Sequence, residues 1–336
     1  MKNYILILCS LLMSLNLRAA ETAVYEGKAG PGKGKHIVFL SGDEEYRSEE
    51  ALPMLAKILS QRHGFKCTVL FSLNADGTIN PEKGDSLAGS EALDSADIIV
   101  MSLRFRHWKD DAMQRFEKAY LAGKPMIGLR TSTHAFNGYP AASQWAKYNF
   151  NSGVWKQGFG RQVLGETWVN HHGGHKSEAT RGIIEEAAKE DPILRGVSDI
   201  FGDTDVYTAN PMADSKILVR GAVLAGMKPT DQPVANKKNM PMQPVIWTRL
   251  HKNEAGKENK VLCTTMGAAT DLQSEGLRRV VVNGVYWGLG MEVPAKADVT
   301  YVDDFKPNNY GFGSYRRGLT PDDHALGKVL PPGVKK

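Results

Sequence analysis

The feature that most constrains this chain is an alternation. Short apolar runs of strand length, each closed by a polar exit, are separated by stretches whose apolar residues recur at helical spacing. The first run, residues 36–41, leads into Gly42-Asp43-Glu44-Glu45-Tyr46. Ser48 then reads as the cap of a helix with Glu49 and Glu50 in its first turn, Leu52, Leu55, Ile58 and Leu59 on one face, and Gly64 at its end. A second run covers residues 67–71. A third, residues 97–102, passes into Leu103-Arg104-Phe105-Arg106-His107-Trp108, and a helix is predicted over 109–121, ended by Gly123 and Pro125. The fourth opens at Met126 and ends in Arg130-Thr131-Ser132-Thr133-His134. Runs with no polar face suit strands covered on both sides. Alternation with helices then predicts an α/β protein, a doubly wound, mostly parallel sheet in three layers, α/β/α.

The second half is less regular. Residues 137–176 are rich in Gly, Asn, Trp and His and read as long loops with short helical pieces, a length that usually marks function in a compact domain. Strands are predicted at 216–219, 244–250 and 260–265. A helix over 274–289 places Leu277, Val280, Val281 and Val285 on one stripe, with Gly284 inside it and Gly290 at its end. The Pro-, Gly- and Asp-rich stretch 295–336 reads as an irregular surface wrap.

At the other end, Lys2, an apolar stretch from Ile5 to Leu15 and the small residues Ala19 and Ala20 form a signal-peptide pattern over residues 1–20, too short to stay as a membrane span. The mature chain is therefore expected to be exported, periplasmic or secreted, and without a membrane span. Lys2 and Arg18 are the only charges in that segment, so its loss takes two from a net charge of +5. The small excess, with both signs interspersed, is no nucleic-acid signature. Cys67 and Cys263 each sit in an apolar run and read as buried thiols rather than a disulfide or a metal pair.

Candidate chemistry gathers at strand exits, because ligands of open α/β sheets bind beyond the carboxyl ends of the strands. His134 and His107 each follow a strand, and Asp43, Glu44 and Glu45 follow another. A carboxylate beside an imidazole fixes its tautomer and raises its basicity, as acid–base chemistry needs. Three of nine histidines lie in Asn170-His171-His172-Gly173-Gly174-His175. Imidazoles so close can share a divalent metal, act as acids and bases, or contact a polyol; a polar loop without any ligand has the same look. There is no HExxH, no G-x-S-x-G and no G-x-G-x-x-G, so zincin, serine-hydrolase and nucleotide readings lack support. Trp108, Trp145, Trp155 and Trp168 flank these loops, as sugar platforms or as packing.

Assembled in order, these pieces resemble the ThuA-like (trehalose utilisation) family, in particular its exported planctomycete-type branch, over about residues 35–291. The resemblance rests on the Gly128-to-Phe136 strand exit, on Asp191-Pro192-Ile193-Leu194-Arg195-Gly196-Val197, on Asp205-Val206-Tyr207, and on Pro244-Val245-Ile246-Trp247-Thr248-Arg249 followed by residues 261–267. It implies a flavodoxin-like fold of the class I glutamine amidotransferase-like superfamily, and carbohydrate metabolism involving oxidised or keto-disaccharides. Two departures stand out: Gly267-Ala268 replaces a Gly-His, and Asp191 replaces a His before Pro-Ile, so roles of those histidines do not transfer. No cysteine occupies the elbow, so glutaminase chemistry is not implied.

The combined expectation has three parts: a signal peptide (1–20), a ThuA-like domain (35–291) and a C-terminal tail (292–336). The domain is expected to act on a small-molecule sugar or keto-sugar by acid–base or metal-assisted chemistry. His134, His107, Asp43, Glu44 and Asp205 are the catalytic candidates, with Arg130, Thr131, Tyr46, Trp108 and Tyr207 for holding substrate. A divalent metal, zinc by ligand type, would fall to His134, His172 and His175. The rival is a carbohydrate- or protein-binding module without turnover. A homo-oligomer is left open.

Overall fold

The computed structural model describes residues 20–331, so the expected signal segment, Ala20 apart, lies outside the described residues. Ten strands form one sheet in the order β1-β3-β2-β4-β5-β10-β9-β8-β6-β7. In chain order they are β1 (Thr22–Tyr25), β2 (His36–Gly42), β3 (Lys66–Leu70), β4 (Ile98–Leu103), β5 (Met126–Leu129), β6 (Thr180–Ile184), β7 (Ile200–Gly202), β8 (Lys216–Val223), β9 (Gln243–Lys252) and β10 (Glu258–Thr264). The helices are α1 (Ser48–His63), α2 (Asp110–Leu121) and α3 (Glu275–Gly288). Strands β3, β2, β4, β5 and β10 run parallel; β1 and the half from β9 to β7 pair antiparallel.

The apolar runs fill both faces, as expected, and their period of two sorts them into two cores. Ile37 and Phe39 of β2, Ile98 and Val100 of β4, and Ile127 of β5 pack beneath α1 and α3. Val38 and Leu40, Ile99 and Met101, and Met126 face the other way, against α2 and the 136–164 segment. That segment is no loose loop: Phe136, Tyr148, Phe159, Val163 and Leu164 are buried there. Cys67 and Cys263 are buried free thiols. Among the described residues no helix is long and apolar enough to cross a membrane.

Three differences from expectation have local causes. Strands β1, β6 and β7, unforeseen, span only three to five residues and carry too few residues to show a period. Ser48 is the first helical residue rather than the cap. Its Oγ accepts the Asp43 N–H at 3.0 Å and lies 2.9 Å from Ser41 Oγ, tying the β2 exit together. The 292–331 tail has no strand or α-helix among the described residues, yet it is pinned down. Arg316 pairs with Glu50 at 2.7 Å and Tyr25 Oη donates to His324 O at 2.8 Å.

Candidate functional site

Parallel strands β2, β4, β5 and β10 deliver their exits to one edge of the sheet. The β2 exit is an Asx-type turn: Asp43 Oδ1 accepts the N–H groups of Glu45 and Tyr46 at 2.7 and 2.9 Å, and Oδ2 accepts from Thr131 Oγ1 at the β5 exit. The β4 and β5 exits are stitched by backbone bonds, Phe105 N–H to His134 O at 3.0 Å and Arg106 N–H to Ala135 O at 2.6 Å. Arg47, Phe105 and Arg130, one per exit, hold φ of 58°, 51° and 45°. Non-glycine residues in that region cost energy and persist where their surroundings impose them.

Arg130 is the keystone. It is fully buried, and its guanidinium lies between two rings, 3.8 Å from the Tyr207 centroid and 4.6 Å from that of Tyr46. Nη1 donates to the carbonyls of Asp205 and Thr265 at 2.8 and 2.7 Å, and Nη2 to Asp205 Oδ1 at 3.0 Å. Asp205 in turn holds two histidines. His171 Nδ1 lies 2.7 Å from Oδ2, and His175 Nδ1 lies 3.1 Å from Oδ1. His175 Nε2 lies 3.2 Å from Glu45 Oε1, joining the cluster to the β2 exit. What gathers them is a zipped pair of segments. His171 bridges Tyr207, and the His172 and Gly173 N–H groups bond Val206 O. Gly173 permits this closeness, since a Cβ there would stand 3.2 Å from Val206 N. Trp168 packs edge-on against His171, and Tyr310 of the tail stands 5.8 Å from His175.

Electrostatics separates the two carboxylates. Burial pushes Asp205 upward, but the His171 hydrogen bond and the Arg130 charge outweigh it and hold its carboxyl down at about 2. Glu45 is raised by burial and then by Asp43, against the opposing pull of His175. Burial, followed by the Arg104 and Arg130 charges, puts His134 well below the usual imidazole value, so that ring is neutral.

The expected residues are placed unevenly. Asp205, Arg130, Tyr207 and Tyr46 converge on this corner. His134 is buried beside it, 5.5 Å from Trp168, with Nδ1 3.2 Å from Thr133 Oγ1. Asp43 and Thr131 spend their polar atoms on each other and on the turn. Glu44 is held by Arg104 and by Arg106 at 2.8 Å, facing the β4 exit. His107 is exposed, its ring against Gly84 and Gly138. Trp108 is a core residue, buried against Phe116 and Phe136, rather than a platform. His172 turns away, its Nε2 2.7 Å from Lys238 O. Among the described residues, the side chains brought to metal-ligand spacing are His171, His175 and Asp205, not the expected trio of His134, His172 and His175. Glu45, His171 and Tyr310 were missed as site residues. Glu45 sits in an acidic run whose members look alike, and Tyr310 lies more than a hundred residues away.

Fold and site together define an α/β protein with a mixed sheet and a histidine–carboxylate corner at the strands' carboxyl edge. No protein-family model matches the chain. No curated protein matches it. A solved structure described as a thua-like protein from Parabacteroides merdae ATCC 43184 superimposes with a TM-score of 0.51, at 12% identity, over 78% of this chain and 92% of its own. A second thua-like structure, from Bacteroides uniformis ATCC 8492, gives 0.45 at 12% identity over 78% and 94%. The mmIFT52 N-terminal domain gives 0.41 at 12% identity over 76% and 97%. The first shows a shared fold, so the chain has the fold found in ThuA-like proteins; the other two carry no argument.

Proposed function

We propose that this is an exported enzyme that acts on a sugar or keto-sugar by acid–base chemistry centred on Asp205, His175 and Glu45. One observation carries the reading. A single imidazole joins two carboxylates whose environments push them in opposite directions, Asp205 down and Glu45 up. Divergence of that kind assigns roles: the lowered group stays an anion, and the raised one is the better proton carrier. Glu45 Oε2 has no hydrogen bond among the described residues, which leaves it for a substrate hydroxyl or the hydrogen beside a carbonyl. The half-buried ring of Trp168 beside the corner offers an apolar face of the kind that sugar rings stack on. The ThuA-like fold supports the sugar class, and the N-terminal pattern supports export.

The test is turnover of a panel of disaccharides and their keto derivatives. Glu45→Gln and His175→Ala should each lower kcat by about 10²–10⁴-fold, with circular dichroism unchanged. Wild-type turnover in Glu45→Gln would remove the assignment. Saturable sugar binding by the native protein, with no product from any member of the panel, would favour the non-catalytic module.

A further inference from the structure

We infer that His171, His175 and Asp205 form a binding site for one divalent transition-metal cation, of the class that zinc represents, with Glu45 and Arg130 as the outer groups that orient its ligands. This rests on the Asp205 cluster being the working centre, and it names the partner that cluster holds.

The donor set is right for such an ion: two imidazole nitrogens and one carboxylate oxygen, leaving positions open for water or substrate. One donor atom from each residue lies within 4.8 Å of the others. Donors about 2.1 Å from a shared ion stand roughly 3.0–3.4 Å apart at octahedral or tetrahedral angles. The Nδ1 atoms of His171 and His175 stand 2.7 and 3.1 Å from the two Asp205 oxygens, near that spacing. Both histidines are partly open to solvent, at 38% and 29% of their side-chain surface, whereas Asp205 is sealed. An ion can therefore enter from one side onto an anchored ligand.

The arrangement around His175 argues furthest. A neutral imidazole donates through one nitrogen only. Here a carboxylate faces each nitrogen, Glu45 at Nε2 and Asp205 at Nδ1. A neutral ring so placed keeps one lone pair facing a carboxylate, and a cation fits between them. Glu45 Oε1 stands 3.2 Å from Nε2, and Nδ1 faces Asp205 Oδ1 at 3.1 Å, where a cation would lie between ring and carboxylate. A carboxylate beside the distal nitrogen of a metal-bound histidine is a recurring outer-shell device. Arg130 supplies the other, fixing Asp205 through Nη2 at 3.0 Å from behind. Glu45 keeps Oε2 free in this state, so its proton-exchanging role is compatible with a bound ion.

The probe is zinc alone, titrated calorimetrically into chelator-treated full-length protein, with cobalt absorption as a second readout. One equivalent should bind. Glu45→Gln should weaken binding by about 10–100-fold, and His171→Ala or His175→Ala by more, while His172→Ala binds as wild type. All three histidines are at least partly exposed, so these variants should fold, as circular dichroism would verify. Absence of saturable binding, or wild-type affinity in both His171→Ala and His175→Ala, would overturn the site. The two proposals separate cleanly. Zinc binding with no sugar turned over leaves the cation site and removes the enzyme; undiminished turnover by protein that binds no zinc does the reverse.

Discussion

Arg130 shows how much one residue organises. It carries a positive charge with no exposure, and its partner Asp205 is equally sealed. Removing one member of such a pair strands the other in a medium that cannot solvate it. Arg130→Met should therefore lose about 3–5 kcal/mol of folding stability, read from urea midpoints, and should release His171 and His175 from their anchored carboxylate. A loss below 1 kcal/mol would mean that the rings of Tyr46 and Tyr207, not the ion pair, hold this corner. Residue types were legible in the sequence here, but partners were not. On paper His134, at a strand exit, leads and His175 is a loop partner, yet packing puts His134 beside Trp168 and His175 between two carboxylates.

At the scale of elements, the strands of the parallel half announced themselves because both faces are buried and most residues in each run are apolar. The site is made instead by the turns that follow them, which strand periodicity does not describe. Residues 160–164 form a single π-helical turn that presses on the β5 exit. A Cβ on Gly160 would stand 1.8 Å from Thr133 O. Gly160→Ala should thus cost about 1–3 kcal/mol as an overpacked contact and shift Thr133 and His134. Unfolding midpoints and Trp168 fluorescence would measure it, and an unchanged variant would show that the turn yields freely. Sequence marked this stretch as loop because its contacts are to another segment rather than along itself.

The whole molecule adds the tail and a pH dependence. Tyr310 stacks on Tyr46 at 5.3 Å, and Gly311 O accepts from Arg47 Nη2 at 3.0 Å, so the tail walls the site. Beneath it Glu49 is fully buried, and burial, opposed chiefly by Arg47, lifts its carboxyl from 4.5 to about 7. The folded state then keeps a proton that the unfolded chain gives up, so this group's contribution falls as pH rises from 4.5 to about 7. Buried histidines work the other way: burial, followed by Lys57, holds His324 at about 3, which favours folding as pH rises. A variant isolates one group from this sum. Glu49→Gln should gain stability relative to wild type between about pH 5 and about pH 8; a constant difference across that range in denaturation midpoints would refute the assignment. By itself the sequence determined the α/β alternation, the apolar faces and the edge where polar residues collect, because those follow from local periodicity. Only the tertiary structure decided which residues form the site. Asp205, His171, His175, Glu45 and Tyr310 come from four separate segments, and their meeting depends on strand order, on the zipped 170–173 and 206–208 segments, and on the closing tail.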